Sequence, residues 1–371
     1  MSSNTHSLPT LLRIGALALL VAVAATPARA ADAARALHER MDKPSILVAS
    51  STRGNILRYG QRDGRLLGEL TAGISHPDTM IIGPDGMLYV SSGTTPADSA
   101  VLRFDPCTGA FAGTFAAGHG MHRPYGMAFG PDGRFYVASF LSDQILRFDA
   151  ATGAFIDVFA TGNAMPGGLN GPNSLAFDAN GALYVSTEGS VAVGGTPTFP
   201  GLPSQVLKFD VHTGTSTVFA DQPPPSPEGF GFVSLLGLAF GPDCRRGGHG
   251  DRHGRCDLFV SDFAGDVRRF NAQGQLVQTM STNYTGTIPS GNFVGGLSFG
   301  THDALFVAAF DNRLADNPGA ILRYDGKTGA PWPAPGQYAP LFVPQSPALG
   351  RPIGILAVDN ACKRSGRDAP R

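Results

Sequence analysis

The sequence has little charge and lacks the motifs on which several protein classes depend. Only 15% of its 371 residues are Asp, Glu, Lys or Arg, and the formal net charge is −1. No long basic or acidic run precedes the short basic tail at 363–367, which argues against nucleic acid as a partner. The sequence also has no Gly-x-Ser-x-Gly elbow, no His-Glu-x-x-His pair and no phosphate loop, which argues against covalent serine chemistry.

A long apolar run occurs only near the N-terminus. Arg13 precedes an apolar stretch at 14–25, and Ala28-Arg29-Ala30 follows it. This order is typical of a secretory signal, which predicts a periplasmic or secreted protein. An uncleaved anchor is the alternative, but the run is shorter than the roughly 20 residues of a membrane helix, so no membrane span is expected.

The sequence has only four cysteines, and an exported chain favours their pairing. Cys244 and Cys256 flank a segment rich in Gly, Arg and His, and a disulfide between them would be worth about 3 kcal/mol by loop entropy. The alternative is a zinc site that adds His249 and His253. The other two cysteines, Cys107 and Cys362, can pair only if the fold brings them together.

Glycine and proline are abundant, with 49 and 29 residues, and they punctuate a repeated unit. The unit is a small-residue strand, a Gly-Pro-Asp-Gly type turn, an aromatic strand, a Leu-Arg-Phe-Asp strand, a Thr-Gly turn and a last strand. Its third-strand marker recurs six times, at Leu57-Arg58-Tyr59, Leu102-Arg103-Phe104, Leu146-Arg147-Phe148, Leu207-Lys208-Phe209, Arg268-Arg269-Phe270 and Leu322-Arg323-Tyr324. A second-strand marker such as Phe135-Tyr136-Val137 keeps step with it.

The period of about 45 residues matches the four strands of a propeller blade. The sequence therefore predicts an all-β fold, a six-bladed β-propeller, rather than a β-sandwich. The first copy lacks a first strand and residues 351–355 resemble one, so the two ends should share a blade. The predicted organisation is a signal at 1–30, a lead-in at 31–44, a monomeric propeller at 45–360 and a basic tail at 361–371, with Gly- and Pro-rich insertions at 189–204 and 222–233 read as loops.

Polar residues precede or begin the first strands, which line the axis of a propeller, so they should converge at one mouth. They are His76, His122, Arg123, Asn170, Asn173, Ser234, Asn292 and Arg351. We predict catalytic roles for His76, His122 and Arg123, and ligand binding for the asparagines and Arg351. Several arginines and histidines at one mouth indicate an anionic or carbonyl-bearing ligand. Their alternative role is to bond loop backbone and channel water.

Acidic residues follow the second strands. They are Glu188, Asp262 and Asp311, the last followed by Asn312. Carboxylates from separate blades could surround Ca²⁺ or Mg²⁺, which are the predicted cofactors if the chain binds any.

The repeat resembles NHL-type six-bladed propellers and is similar to the streptogramin-lyase and gluconolactonase-like families over the mature chain. The gluconolactonase resemblance implies a metal held by Glu, Asn and Asp, with Asn170-Gly171-Pro172-Asn173 and Asp262 in matching places. That family's glutamate near the first blade has no match, because His76-Pro77-Asp78 stands there. A lyase of the streptogramin type would need a histidine base beside a metal, for which His76, His119 and His122 are candidates.

These observations lead to one prediction and one alternative. The prediction is an exported propeller that binds a small-molecule or protein ligand at its central funnel. The alternative is a metal-dependent lyase or lactone hydrolase that uses the same funnel.

Overall fold

The computed structural model describes residues 43–245 and 256–359, and it arranges them as an all-β propeller. Six four-stranded antiparallel sheets form the blades, so the predicted fold class is confirmed. No helix in these two ranges is long and apolar enough to cross a bilayer. The predicted signal, most of the lead-in and the basic tail lie outside the described residues.

Each blade is an antiparallel sheet of four strands, which are named below in order from the axis outwards. Blade 1 contains β26 (Pro352–Val358), β1 (Ser45–Ser50), β2 (Asn55–Gly60) and β3 (Leu66–Ala72). Blades 2 and 3 contain β4 (Met80–Ile82), β5 (Leu88–Ser92), β6 (Ala100–Phe104) and β7 (Phe111–Ala117), then β8 (Pro124–Phe129), β9 (Arg134–Ser139), β10 (Gln144–Asp149) and β11 (Phe155–Thr161).

The second half of the ring follows the same order. Blade 4 contains β12 (Pro172–Phe177), β13 (Leu183–Thr187), β16 (Val206–Phe209) and β17 (Ser216–Ala220). Blades 5 and 6 contain β18 (Leu235–Phe240), β19 (Leu258–Asp262), β20 (Val267–Phe270) and β21 (Leu276–Met280), then β22 (Asn292–Phe299), β23 (Ala304–Asp311), β24 (Pro318–Asp325) and β25 (Leu341–Gly350). The remaining elements are β14 (Val191–Val193), β15 (Thr196–Thr198), the helical turn α1 (Pro242–Arg245) and 3₁₀ turns at Phe140–Ser142 and Thr301–Asp303.

The repeated turn residues stabilise the turns through identifiable hydrogen bonds and backbone angles. In blade 3 the Asp132 carboxylate accepts a hydrogen bond from the Tyr136 hydroxyl at 2.8 Å, and Gly133 takes a positive φ of 76° between the two strands. Asp149 caps the next turn, because its carboxylate accepts from the backbone N–H and the hydroxyl of Thr152. The repeated residues therefore fix the first and third of the three hairpins in this blade.

The ring closes as predicted, with the two ends of the described chain in blade 1. Strand β26 pairs antiparallel with β1, so that Ser45 lies opposite Val358. Six buried apolar clusters lie one between each pair of neighbouring blades, including the pair formed by blades 6 and 1. Burial between blades therefore runs around the whole ring.

Glycines let the inner strands approach one another at the axis. A Cβ on Gly126 of β8 would lie 2.4 Å from the Asn173 carbonyl oxygen of β12, and one on Gly354 of β26 would lie 2.0 Å from the Asp78 carbonyl oxygen. Any larger residue would push the neighbouring strands apart. These glycines keep the ring narrow at that level.

Two predictions about the loops have definite outcomes. Cys244 and Cys256 form a disulfide with Cα atoms 5.6 Å apart, whereas His249, His253 and Cys362 lie outside the described residues. Cys107 is also disulfide-bonded. The insertion at 189–204 is more than a loop, since β14 and β15 form a hairpin around Gly194-Gly195, which both have positive φ.

Candidate functional site

The inner strands begin on one face of the ring, which we call the upper face. At three of these starts a residue with left-handed backbone precedes a proline: His76 (φ 41°), Arg123 (φ 50°) and Arg351 (φ 46°). Blade 4 has Gly171 at the same place, with φ 63°. A left-handed residue other than glycine costs about 1 kcal/mol, so these three side chains stand where glycine would be more stable.

The charges of all three side chains act on a buried carboxylate, Asp78, which is 1% exposed, and Arg123 is the one of the three that lies within 4 Å of it. Burial raises the pKa of Asp78, while Arg123, then Arg351 and more weakly His76 act to lower it. Ser51 donates a hydrogen bond to Asp78 Oδ1 at 3.2 Å. Asp78 Oδ2 lies 3.8 Å from Arg123 Nε, and neither atom has a hydrogen-bond partner in the described part of the chain.

Blade 4 contributes a second carboxylate, Glu188. Ser234 from blade 5 donates a hydrogen bond to Glu188 Oε2 at 3.2 Å. Burial raises the pKa of Glu188, and hydrogen bonds from Ser190 and Ser234 together with the charge of Arg123 oppose that shift. Arg123 therefore links the carboxylates of blades 2 and 4. We call Asp78, Arg123, Glu188, Arg351 and His76 the charged cluster.

An apolar layer lies at the same end of the axis. We call it the floor cluster, and its buried members are Tyr125, Phe140, Leu141, Leu236, Phe310 and Ile353. They come from blades 1, 3, 5 and 6, so the layer extends across the axis between opposite blades. Tyr125 joins the two groups, because the Arg123 guanidinium lies 5.2 Å from the centre of its ring. Burial raises the pKa of the Tyr125 phenol, which keeps it neutral.

A cavity of about 700 Å³ follows the axis toward the opposite, lower face and is lined by all six inner strands. Tyr125, Leu236 and Ile353 of the floor cluster line it, and Cys244 and Cys256 also contact it. Most of its lining is apolar side chain or strand backbone, and the charged cluster does not line it. The converging charged groups therefore lie at the upper mouth and not in this cavity.

Several predicted site residues have other partners. Asn173 Nδ2 donates to the Leu235 carbonyl at 2.9 Å, and Asn170 Nδ2 donates to the Met165 carbonyl at 2.7 Å. Asn292 is buried beside Ser290 and accepts its hydroxyl hydrogen bond. The roles predicted for these asparagines remain predictions, and the two carboxamide oxygens of Asn170 and Asn173 have no hydrogen-bond partner in residues 43–245 and 256–359.

The other two candidate histidines, His122 and His119, contact residues other than Asp78. The His122 ring is 3.1 Å from the Thr94 carbonyl oxygen, and a Cβ on Gly195 of the β14–β15 hairpin would touch that ring. The His119 ring stacks on Phe155 of the outermost strand of blade 3, with centroids 4.0 Å apart. His76 alone among them interacts with the buried carboxylate.

The predicted metal ligands bind different neighbours. Asp262 Oδ1 accepts from the Ser234 and Ala264 backbone N–H groups, and Oδ2 accepts from Arg268 at 3.2 Å. Asp311 accepts from the backbone N–H of Arg313. The described residues contain no group of three His, Cys, Asp or Glu side chains that could hold a metal. Glu188, Asp262 and Asp311 thus do not form a ready ligand set, and the Ca²⁺ or Mg²⁺ site stays a prediction.

Sequence reasoning missed Asp78 and Tyr125 as members of the site. A usable signal was present, because His76-Pro77, Arg123-Pro124, Gly171-Pro172 and Arg351-Pro352 repeat one pattern at the start of four inner strands, and Asp78 and Tyr125 directly follow the proline in two of these copies. A residue other than glycine in that pattern marks a position where the side chain is needed.

Comparisons with known proteins support the fold. No protein-family model matches the chain, and no curated protein matches its sequence. Among solved structures, the nidogen/laminin complex aligns with a TM-score of 0.55 at 10% identity, over 85% of this chain and 99% of the matched chain. Virginiamycin B lyase from Staphylococcus aureus aligns with a TM-score of 0.45 at 14% identity, over 76% of this chain and 81% of the matched chain. A candidate gluconolactonase aligns with a TM-score of 0.48 at 19% identity, over 75% of this chain and 81% of the matched chain. At these identities the likeness concerns the propeller fold alone.

Proposed function

We propose that this chain is an exported binding propeller whose upper mouth holds a small molecule through a carboxylate or carbonyl group. The observation that carries the proposal is the left-handed backbone at Arg123 and Arg351, combined with the 3.8 Å approach of Arg123 to Asp78 and the charge of Arg351 that acts on the same carboxylate. Strain of this kind persists where the surrounding structure needs the side chain. The signal-like N-terminus and the Cys244–Cys256 disulfide support export.

The arginines keep hydrogen-bonding capacity for a ligand. Arg123 Nε is buried and has no hydrogen-bond partner in residues 43–245 and 256–359, while the side chain as a whole is 19% exposed, so its other guanidinium nitrogens are the ones a ligand would contact. Arg351 is half-buried, and its guanidinium lies 6.0 Å from the Phe310 ring centre. Guanidinium groups bind carboxylates through two parallel hydrogen bonds, which suits a planar anionic head group.

Asp78 and Glu188 give the mouth selectivity. Their carboxylate charges both act on Arg123, so they favour one position of its guanidinium before a ligand binds. Because burial raises the pKa of each carboxyl, either one can take up a proton when an anion binds next to it. A ligand with both an anionic oxygen and a neighbouring hydroxyl or amide would satisfy the arginines and the carboxylates together.

Binding of free carboxylates to the full protein tests the proposal. Ligand-observed NMR and equilibrium dialysis with hexanoate should detect binding, and Arg123→Ala with Arg351→Ala should weaken it more than tenfold, since each lost charged hydrogen bond is worth about 1.5–3 kcal/mol. Arg103→Ala with Arg134→Ala is the control, because it removes equal charge from arginines that pair with Asp85 and Asp132 in the turns. If the mouth variant binds like wild type, the proposal is wrong. If no free carboxylate binds, but the protein captures a partner protein and loses it in Arg123→Ala with Arg351→Ala, the mouth binds a protein and not a small molecule.

A further inference from the structure

Aromatic side chains fill the part of the upper mouth formed by blades 5 and 6. We call Phe230, Phe232, Phe263, Phe293 and Phe310 the aromatic wall. Phe293 is central to it, with ring centroids 4.7 Å from Phe263, 5.8 Å from Phe230 and 5.9 Å from Phe310. Phe263 and Phe293 also pack on the floor cluster, which places the wall beside the axis.

The wall leaves apolar surface open to solvent. Phe230 is 46% exposed and Phe232 is 44% exposed, although both rings contact Phe293. They flank Gly231, whose φ is 83°, in the loop that precedes β18. Exposed rings next to a polar cluster are typical of a ligand site, because leaving them in water gains the fold nothing.

The charged cluster and the aromatic wall meet at one residue. Arg351 interacts with Asp78, and its guanidinium lies 6.0 Å from the centre of Phe310. A ligand whose anionic head contacts Arg351 would therefore have its body beside the wall. We infer that the ligand is amphipathic, with a carboxylate head joined to a planar aromatic body. This inference rests on the proposed function.

The inference predicts a preference between two probes of equal charge. The full protein should bind 2-naphthylacetate at least tenfold more tightly than hexanoate, because a naphthyl ring packs more apolar area on Phe230, Phe232 and Phe293 than an alkyl chain does and can also stack on their rings. Equilibrium dialysis of both carboxylates measures the ratio directly.

Substitutions separate this inference from the proposed function. Phe230→Ala with Phe232→Ala should reduce the preference at least fivefold, because 2-naphthylacetate loses more apolar contact than hexanoate does. Phe199→Ala is the matched control, since Phe199 is 68% exposed in the insertion of blade 4 and does not belong to the wall. Circular dichroism of each variant checks its fold.

The outcomes differ for the two claims. Equal affinities for the two probes, both lost in Arg123→Ala with Arg351→Ala, would overturn the amphipathic ligand and leave the carboxylate site standing. Undiminished binding of 2-naphthylacetate after removal of both arginines would overturn the carboxylate site. A preference that the wall variant leaves unchanged, or that Phe199→Ala also removes, would place the ring elsewhere and overturn the inference.

Discussion

Two buried clusters of acidic residues and arginine occupy neighbouring parts of this propeller, and they have different designs. In blade 5, Arg268 lies 3.2 Å from Asp262 and 3.6 Å from Asp266, and all three side chains are at most 5% exposed. In the charged cluster, Arg123 is 3.8 Å from Asp78 and 19% exposed. Burial raises the pKa of the carboxyl in both places, so a raised pKa alone does not distinguish them.

Hydrogen bonding does distinguish them. Both oxygens of Asp262 accept hydrogen bonds, whereas Asp78 Oδ2 accepts none in the described part of the chain. Arg268 lies inside strand β20, whereas Arg123 and Arg351 have left-handed backbone at the start of inner strands. Left-handed backbone and a guanidinium Nε without a partner among the described residues also occur in blade 5, at Asp266 (φ 76°) and Arg268. The charged cluster therefore differs in the unpartnered oxygen of Asp78 and the partial exposure of Arg123, and burial of charge alone would not reveal either.

Removing the arginine from each cluster should give the largest difference. Arg268→Met leaves Asp262 and Asp266 buried without their counter-ion, and we expect it to lower the free energy of unfolding by about 3–5 kcal/mol. Arg123→Met should cost less than about 1.5 kcal/mol, since Asp78 keeps Arg351 and can take up a proton. Urea unfolding measures both. Equal losses would show that the charged cluster is structural.

Glycine at a strained position should have a smaller, opposite effect. Arg351→Gly and Arg351→Ala both remove the side chain, but glycine tolerates φ 46°, so the glycine variant should be more stable by about 1 kcal/mol. At Arg103, inside strand β6, the order should reverse, because glycine weakens a regular strand by about 0.5–1 kcal/mol. If alanine is the more stable choice at 351, the backbone there is not strained.

The pH dependence of stability should show the smallest effect. Because burial raises the pKa of Asp78, the folded protein binds that proton more tightly than the unfolded chain does. The contribution of this group is fully present below its unfolded pKa of about 3.9 and is lost as the pH rises through the folded value. Wild type should therefore lose stability relative to Asp78→Asn between pH 4 and pH 7.

Asp157 provides a control of opposite sign. Two hydrogen bonds from Arg147 lower the pKa of Asp157, so its contribution exists at neutral pH and disappears as the pH falls. Urea unfolding of Asp157→Asn should show the largest deficit at pH 7 and a smaller one at pH 4. A parallel pH response of the two asparagine variants would contradict the assignment.

The fold could be predicted because its determinants are local and repeated. Pairs such as Asp132-Gly133 and Thr152-Gly153 fix hairpins from within a few residues, and six copies of Leu-Arg-Phe type strands count the blades. Even the shared blade followed from a strand missing at one end and present at the other. The β14–β15 hairpin was missed because Gly194-Gly195 is flanked by only three residues on each side.

The site could be predicted only in part because its contacts join distant blades. Arg123 and Arg351 were recognised from their positions before the inner strands, but their common partner Asp78 depends on the turn of the backbone at His76. Asp262 looked like a metal ligand, and only the structure shows that Arg268 and two backbone N–H groups use its oxygens. The aromatic wall combines residues from the loop before β18 and from blades 5 and 6, so no short sequence motif predicts it.

The pairing of β26 with β1 has a consequence for biosynthesis. These partners are separated by about 300 residues, so the innermost strand of blade 1 is synthesised after every other strand that the structure describes. Until then β1 presents an open edge, and Arg351 cannot approach Asp78. Completion of the ring and assembly of the charged cluster are therefore one event, and the upper mouth takes shape only after β26 has paired with β1.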